Sequence, residues 1–228
     1  MLTLRSSPMA IQFKSRQSWR RTGSATKVRA PSIRSPRRSA QSGIAAVEFS
    51  LVSLLFFMLV FAIIEFVRVM YMYNTLADAT RTAARAAANI DWRNTAELDK
   101  AKQHAILRDS PGELAFGFPV TDKHVRIDYM YLKQQGSTTT YEPANSMPSC
   151  PGRNQHNCLT NPYGSGASAS TVCIRIVRAR ICNPDTDCEA VSYKMLIPLF
   201  DWGVKLPVST TLATAETLGY RPGDPVCP

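Results

Sequence analysis

A chain of 228 residues with 45% hydrophobic side chains is long enough to bury a core, and its net charge of +10 invites a nucleic-acid reading. The distribution of that charge excludes the reading for most of the chain. Ten of the 27 Lys and Arg lie before Gly43 and none of the 17 Asp and Glu does, so everything after Gly43 is neutral overall. The basic arm itself lacks an aromatic–basic pattern or a recognised binding module, and no nucleic-acid partner is expected.

Residues 1–42 are rich in Ser, Arg, Pro and Thr, with neither a helical nor an alternating apolar period, and are expected to be disordered. Met9 offers a second start besides Met1. From Ile44 to Val67 the side chains turn apolar, the exceptions being Ser50, Ser53, Glu48 and Glu65. At 1.5 Å per residue this run makes a helix of about 36 Å, against a hydrocarbon core of about 30 Å. A buried helix of a soluble core seldom stays apolar all round for such a length. A secretory signal would have a shorter apolar core closely followed by a small-residue cleavage site, whereas the small residues here, around Ala84 to Ala88, come well after Arg68. The run therefore reads as a retained span. The positive-inside rule keeps the basic arm in the cytoplasm and sends the C-terminal part across.

A carboxylate among the first turns of a membrane helix is costly, by about 2.5 to 3.5 kcal/mol at mid-bilayer. Glu48 either snorkels to the cytoplasmic headgroups or finds a cation. Cutting the chain after Gly43 would supply one, the new amino group of Ile44, on the same or a neighbouring subunit. Removing one member of such a pair would leave an uncompensated charge.

The stretch Gly43-Ile44-Ala45-Ala46-Val47-Glu48-Phe49 resembles the prepilin peptidase site of type IV pilin-like proteins. Together with the apolar helix, Glu65 and the Ala-Arg-rich run Ala79-Thr80-Arg81-Thr82-Ala83-Ala84-Arg85-Ala86-Ala87, it resembles the TadE-like pseudopilins over about residues 42–88. The resemblance implies a minor component of a tight-adherence (Tad/Flp) pilus or its secretion apparatus. It implies processing at Gly43 and Ile44, with Glu48, Phe49 and Glu65 as candidate assembly contacts. The implied partners are inner-membrane lipid, prepilin peptidase, other pilin or pseudopilin subunits and Tad assembly proteins. The implied location is the bacterial inner membrane, single-pass, with the C-terminal domain periplasmic or extracellular. The competing reading is an uncleaved single-span anchor that organises a secretion complex.

Beyond the span, Leu76, Ala79, Ala83, Ala86 or Ala87, and Ile90 keep a spacing of three or four, while Asp78, Arg81 and Arg85 take the other side. The helix should run on to about Ile90 and offer an Ala stripe to neighbouring helices or a small domain. Glu65 and Arg68, three apart, are placed to pair, and Glu65 is a candidate contact to a partner helix. A second helix is predicted from Asn94, as N-cap with Glu97 three residues on, to Ser110-Pro111-Gly112. Val125, Ile127, Tyr129 and Tyr131 alternate with Arg126, Asp128 and Met130 as a half-buried strand. Residues 134–171 read as a long loop. Three further strands are predicted over about 171–182, 190–197 and 208–217. The expected fold class is α+β: a long N-terminal transmembrane helix extending into an exported domain with a small antiparallel sheet packed on it. The divisions fall at 1–43, 44–90 and 91–228.

All six cysteines, Cys150, Cys158, Cys173, Cys182, Cys188 and Cys227, lie on the exported side, where the compartment is oxidising. Three disulfides are expected out of fifteen connectivities. Spacing favours Cys150 with Cys158 and Cys182 with Cys188, leaving Cys173 with Cys227. No Cys-x2-Cys pair is present and His104, His124 and His156 lie at no ligand spacing, so no metal or other cofactor is expected. The Asp185-Thr186-Asp187 turn lacks the glycine and terminal glutamate of an EF-hand. There is no nucleophile elbow, phosphate loop, dinucleotide fingerprint or metalloprotease helix, and no enzyme is expected.

Overall fold

A computed structural model describes residues 42–163, 168–196 and 203–227. The predicted disorder of the basic arm lies outside these residues. The chain divides into two compact units, 1–46 and 47–228. In the first unit, residues 42–46 are helical and belong to α1 (Ser42–Ala87).

In the second unit α1 has two regimes. From Val47 to Val67 nearly every side chain is exposed although most are apolar, and among the described residues α1 is the helix long and apolar enough to cross a membrane. From Met72 onward one stripe becomes buried: Met72, Leu76, Ala79, Thr80, Ala83, Ala84 and Ala87. Their spacing of three and four puts them on one face, and the small alanines let a sheet approach closely. The helix ends at Ala87 rather than Ile90. Its end is taken over by the C-terminal segment, whose Glu216 and Leu218 N–H groups donate to the Ala88 carbonyl at 3.2 and 3.0 Å. Gly219 then passes so close that a Cβ there would lie 2.7 Å from the Asp91 backbone nitrogen, and its φ of +81° suits glycine.

α2 (Thr95–Ala105) starts where predicted, with the Asn94 side chain accepting from the Glu97 N–H at 3.2 Å. It ends five residues before Ser110, and Leu107 just past it adopts a φ of +61°. The sheet is a four-stranded antiparallel array in the order β2-β1-β3-β4, with β1 Val125–Gln135, β2 Thr138–Pro143, β3 Ile174–Ile181 and β4 Thr210–Thr214. One face of β3, Val177, Ala179 and Ile181, is buried toward α1 in two clusters. Met72 to Ala84 pack with Val125, Ala179 and Ile181, and Ala87 and Ala88 pack with Tyr131, Val172, Ile174 and Val177. Thr80, buried in the helix stripe, meets the Thr211 hydroxyl of β4 at 2.8 Å. On the other face Asp128 is ringed by Arg178 and Arg180, at 3.1 and 2.7 Å, and by Arg126 at 3.3 Å. Met130, expected on the exposed side of β1, is buried because the pairing with β3 slips between Met130 and Tyr131.

Two expectations need correction. Residues 134–171 are not one loop. They contain the end of β1, all of β2 and α3 (Pro151–Thr160). The predicted strand over 190–197 is, among its described residues, a single bridge from Ser192 to Lys205. Residue 197 lies outside them.

Candidate functional site

In the first unit, Gly43 and Ile44 lie on helix, with Ile44 65% exposed. A Cβ added to Gly43 would meet nothing within 4 Å. Among the described residues, nothing sets a steric demand for glycine there. In the second unit, Glu48 is exposed, and among the described residues nothing hydrogen-bonds or ion-pairs with its carboxylate. Phe49 is 75% exposed. An unpaired carboxylate in an apolar stretch is costly within a bilayer unless it reaches the headgroups or finds a cation.

Glu65, the other carboxylate of the apolar run, is in the opposite situation. Its carboxylate accepts the Tyr193 hydroxyl, the Leu196 N–H at 3.3 Å and the Arg68 guanidinium at 3.5 Å. Arg68 does still more. Its Nε donates to the Phe116 carbonyl at 2.9 Å, Nη2 to the Phe118 carbonyl at 3.0 Å, and Nη1 to the Lys194 carbonyl at 2.8 Å and the Tyr193 hydroxyl at 3.2 Å. The guanidinium also lies over the Tyr193 ring, 5.1 Å from its centroid. The pair anticipated from spacing is therefore present, but as the centre of a clamp that fastens two distant loops to α1 at the end of the apolar run. Burial and the bond to Glu65 push the Tyr193 hydroxyl up to about 12. Glu65, read from spacing as the partner of Arg68 and as a candidate contact to a partner helix, has its carboxylate engaged within its own chain. Sequence reasoning missed Tyr193, Phe116, Phe118 and Lys194. They lie 48 to 126 residues from Arg68, and no spacing rule connects them.

The cysteines form three bridges: Cys150–Cys227, Cys158–Cys173 and Cys182–Cys188. The last is the pair that clasps the turn after β3. The other two expected pairs, Cys150 with Cys158 and Cys173 with Cys227, are corrected. Cys150 is the N-cap of α3 and Cys158 lies in its last turns, so the helix holds their Cα atoms about 12 Å apart. A disulfide spans no more than about 7 Å. Cys158 instead faces Cys173 beside β3, at 4.8 Å between Cα atoms. The C-terminal tail comes back over the start of α3, where a Cβ on Gly152 would meet the Pro225 carbonyl oxygen at 2.5 Å, and this delivers Cys227 to Cys150.

Residues 43–85 match the family model of TadE-like proteins. The chain carries a TadE-like segment. It begins at Gly43, takes in Glu48, Phe49, Glu65 and Arg68, and stops two residues short of the end of α1. A TadE-like segment suggests a component associated with a tight-adherence pilus. No curated protein and no solved structure is similar to this chain.

Proposed function

We propose that the protein is a TadE-like minor pseudopilin, a structural and non-catalytic component of a Tad/Flp pilus or its secretion apparatus. Prepilin peptidase removes residues 1–43, and the new amino terminus of Ile44 meets Glu48 of a neighbouring subunit. Phe49 packs against the same neighbour. The observation that carries the reading is the TadE-like match that opens on Gly43 and runs along the apolar helix. The unpaired Glu48 carboxylate supports it, as does a Gly43 that its own fold leaves sterically free. In this reading the basic arm remains in the cytoplasm until cleavage, α1 holds the subunit in the inner membrane, and the disulfide-bonded domain faces the periplasm or the exterior. Its partners are prepilin peptidase, pilin or pseudopilin subunits and Tad assembly proteins.

Two substitutions test it. Gly43→Leu should leave a full-length precursor in the membrane, because a side chain there crowds the backbone where a peptidase must act. Glu48→Val should still be processed and inserted, since losing a charge makes the span more apolar, yet pilus assembly should fail. Normal assembly by Glu48→Val would reduce Glu48 to a snorkelling residue and favour the uncleaved anchor.

A further inference from the structure

The exposed apolar side chains beside the Arg68 clamp find no role in the reading above. The segment from Leu114 to Val120 is pinned at both ends and along its carbonyls. Leu114 and Val120 are buried and joined by an N–H to carbonyl bond of 2.8 Å, and the Gly117 N–H returns to the Leu114 carbonyl at 2.9 Å. The Tyr71 hydroxyl donates to the Ala115 carbonyl at 3.1 Å, and Arg68 holds the carbonyls of Phe116 and Phe118. Every carbonyl from Leu114 to Phe118 is thus bonded while the Phe116 ring stands 84% exposed, on a residue whose φ of +56° lies in a region bulky side chains avoid. A surface loop gains nothing in water by holding an aromatic ring in that way.

The clamp also fixes where the ring sits. A carbonyl bonded to Arg68 lies within one arginine side chain of α1 at residue 68, and the Leu196 N–H bonded to Glu65 lies about a turn back, at the last turn of the apolar run. That run already exceeds the hydrocarbon thickness, so residues 65–71 fall at headgroup level. Phe116, Phe118 and Leu196, exposed by 84%, 44% and 64%, share this level with Tyr71 and with Lys194, whose ammonium lies 5.2 Å from the centre of the Phe118 ring. Aromatic rings and a lysine at the interface are the chemistry that headgroups and upper acyl chains receive.

We infer that the Phe116 loop and Leu196 form a second membrane contact, a phospholipid-binding face that seats the exported domain on the outer leaflet beside its own span. Lys194 supplies the charge for anionic headgroups. This inference rests on α1 spanning a bilayer, so its test must separate the two. The full chain is reconstituted in vesicles of phosphatidylethanolamine and phosphatidylglycerol, with a photoreactive phenylalanine analogue replacing Phe57 in the span, Phe116, or the exposed Tyr141 of β2 in turn. Lipid adducts are read by intact mass, which also reports the three disulfides and hence the fold. Adducts at 57 and 116, with none at 141, are the expected result. Adducts at 57 without adducts at 116, or labelling at 141 equal to that at 116, overturn the lipid face and leave the span intact. Cross-links from 116 to protein would overturn it in favour of a subunit interface. Absence of adducts at 57 would remove the span and the inference with it.

Discussion

At the scale of single residues, the two carboxylates of the apolar run show how context divides identical side chains. Glu48 is exposed without a partner among the described residues, whereas Glu65 is consumed by Arg68, Tyr193 and the Leu196 N–H. The Glu65–Arg68 pair was legible because three residues on a helix is a contact. The rest of the clamp was not, since its donors and acceptors meet only after the sheet has folded onto α1. The clamp's tyrosine carries a pH prediction. Tyr193 is pushed up to about 12 by burial and by its bond to Glu65, and Tyr129, whose buried hydroxyl has no hydrogen-bond partner among the described residues, is pushed up to about 12 chiefly by burial. In the unfolded chain both titrate near 10. Between about pH 10 and 12 the unfolded state has released these protons while the native state retains them, so their stabilising contribution is complete below pH 10 and lost as pH rises to 12. Ultraviolet titration of the folded chain should show Tyr129 and Tyr193 ionising late, with unfolding moving into that window. Unchanged absorbance on Tyr193→Phe or Tyr129→Phe across pH 10 to 12 would contradict it.

At the scale of elements, legibility followed apolar periodicity. The stripe of α1 was readable from Leu76 to Ala83, as were the alternation of β1 and the cap of α2, because each places apolar or capping residues at a fixed period. α3 was unreadable because its buried residues are Pro151, Gly152, Asn154 and Asn157, polar or small, in a segment with the composition of a loop. β2 is an edge strand of Thr, Tyr and Glu with little burial, and its one local signal was the Gly136-Ser137 turn, with Gly136 at a φ of +61°. What holds α3 is side-chain to backbone bonding. The Asn154 amide accepts from the Ile174 N–H at 2.8 Å and donates to the Ile174 carbonyl at 3.3 Å, and Asn157 donates to the Val172 carbonyl at 2.8 Å. Asn154→Leu should therefore strand a buried N–H and a buried carbonyl at the start of β3, at a cost of roughly 2 to 4 kcal/mol. Denaturant unfolding of the detergent-solubilised chain measures this, and a loss below about 0.5 kcal/mol would mean that the Cys158–Cys173 bridge alone positions the helix.

At the scale of the whole chain, two asymmetries of the sequence carry the account. Every net charge precedes Gly43, and every cysteine follows the apolar run. In the reading proposed above, the first directs the span by the positive-inside rule and the second suits export, and the three bridges close segments of 77, 15 and 6 residues. In the chain-entropy account the longest of these contributes most, about 4 kcal/mol, and ties the C-terminus to α3. The bridge partners were mostly illegible because a helix intervened where spacing suggested a small loop, and because tail docking depends on Gly152 rather than on any cysteine spacing. The resemblance to TadE-like proteins was legible because it resides in the apolar helix, and a helix of that length is a local property of the chain. The central claim, that this chain is a processed TadE-like subunit, meets its most direct test in the amino-terminal residue of the protein isolated from bacterial envelopes. Mass spectrometry should find Ile44 at the amino terminus; a chain in assembled pili that begins at Met1 or Met9 would contradict it.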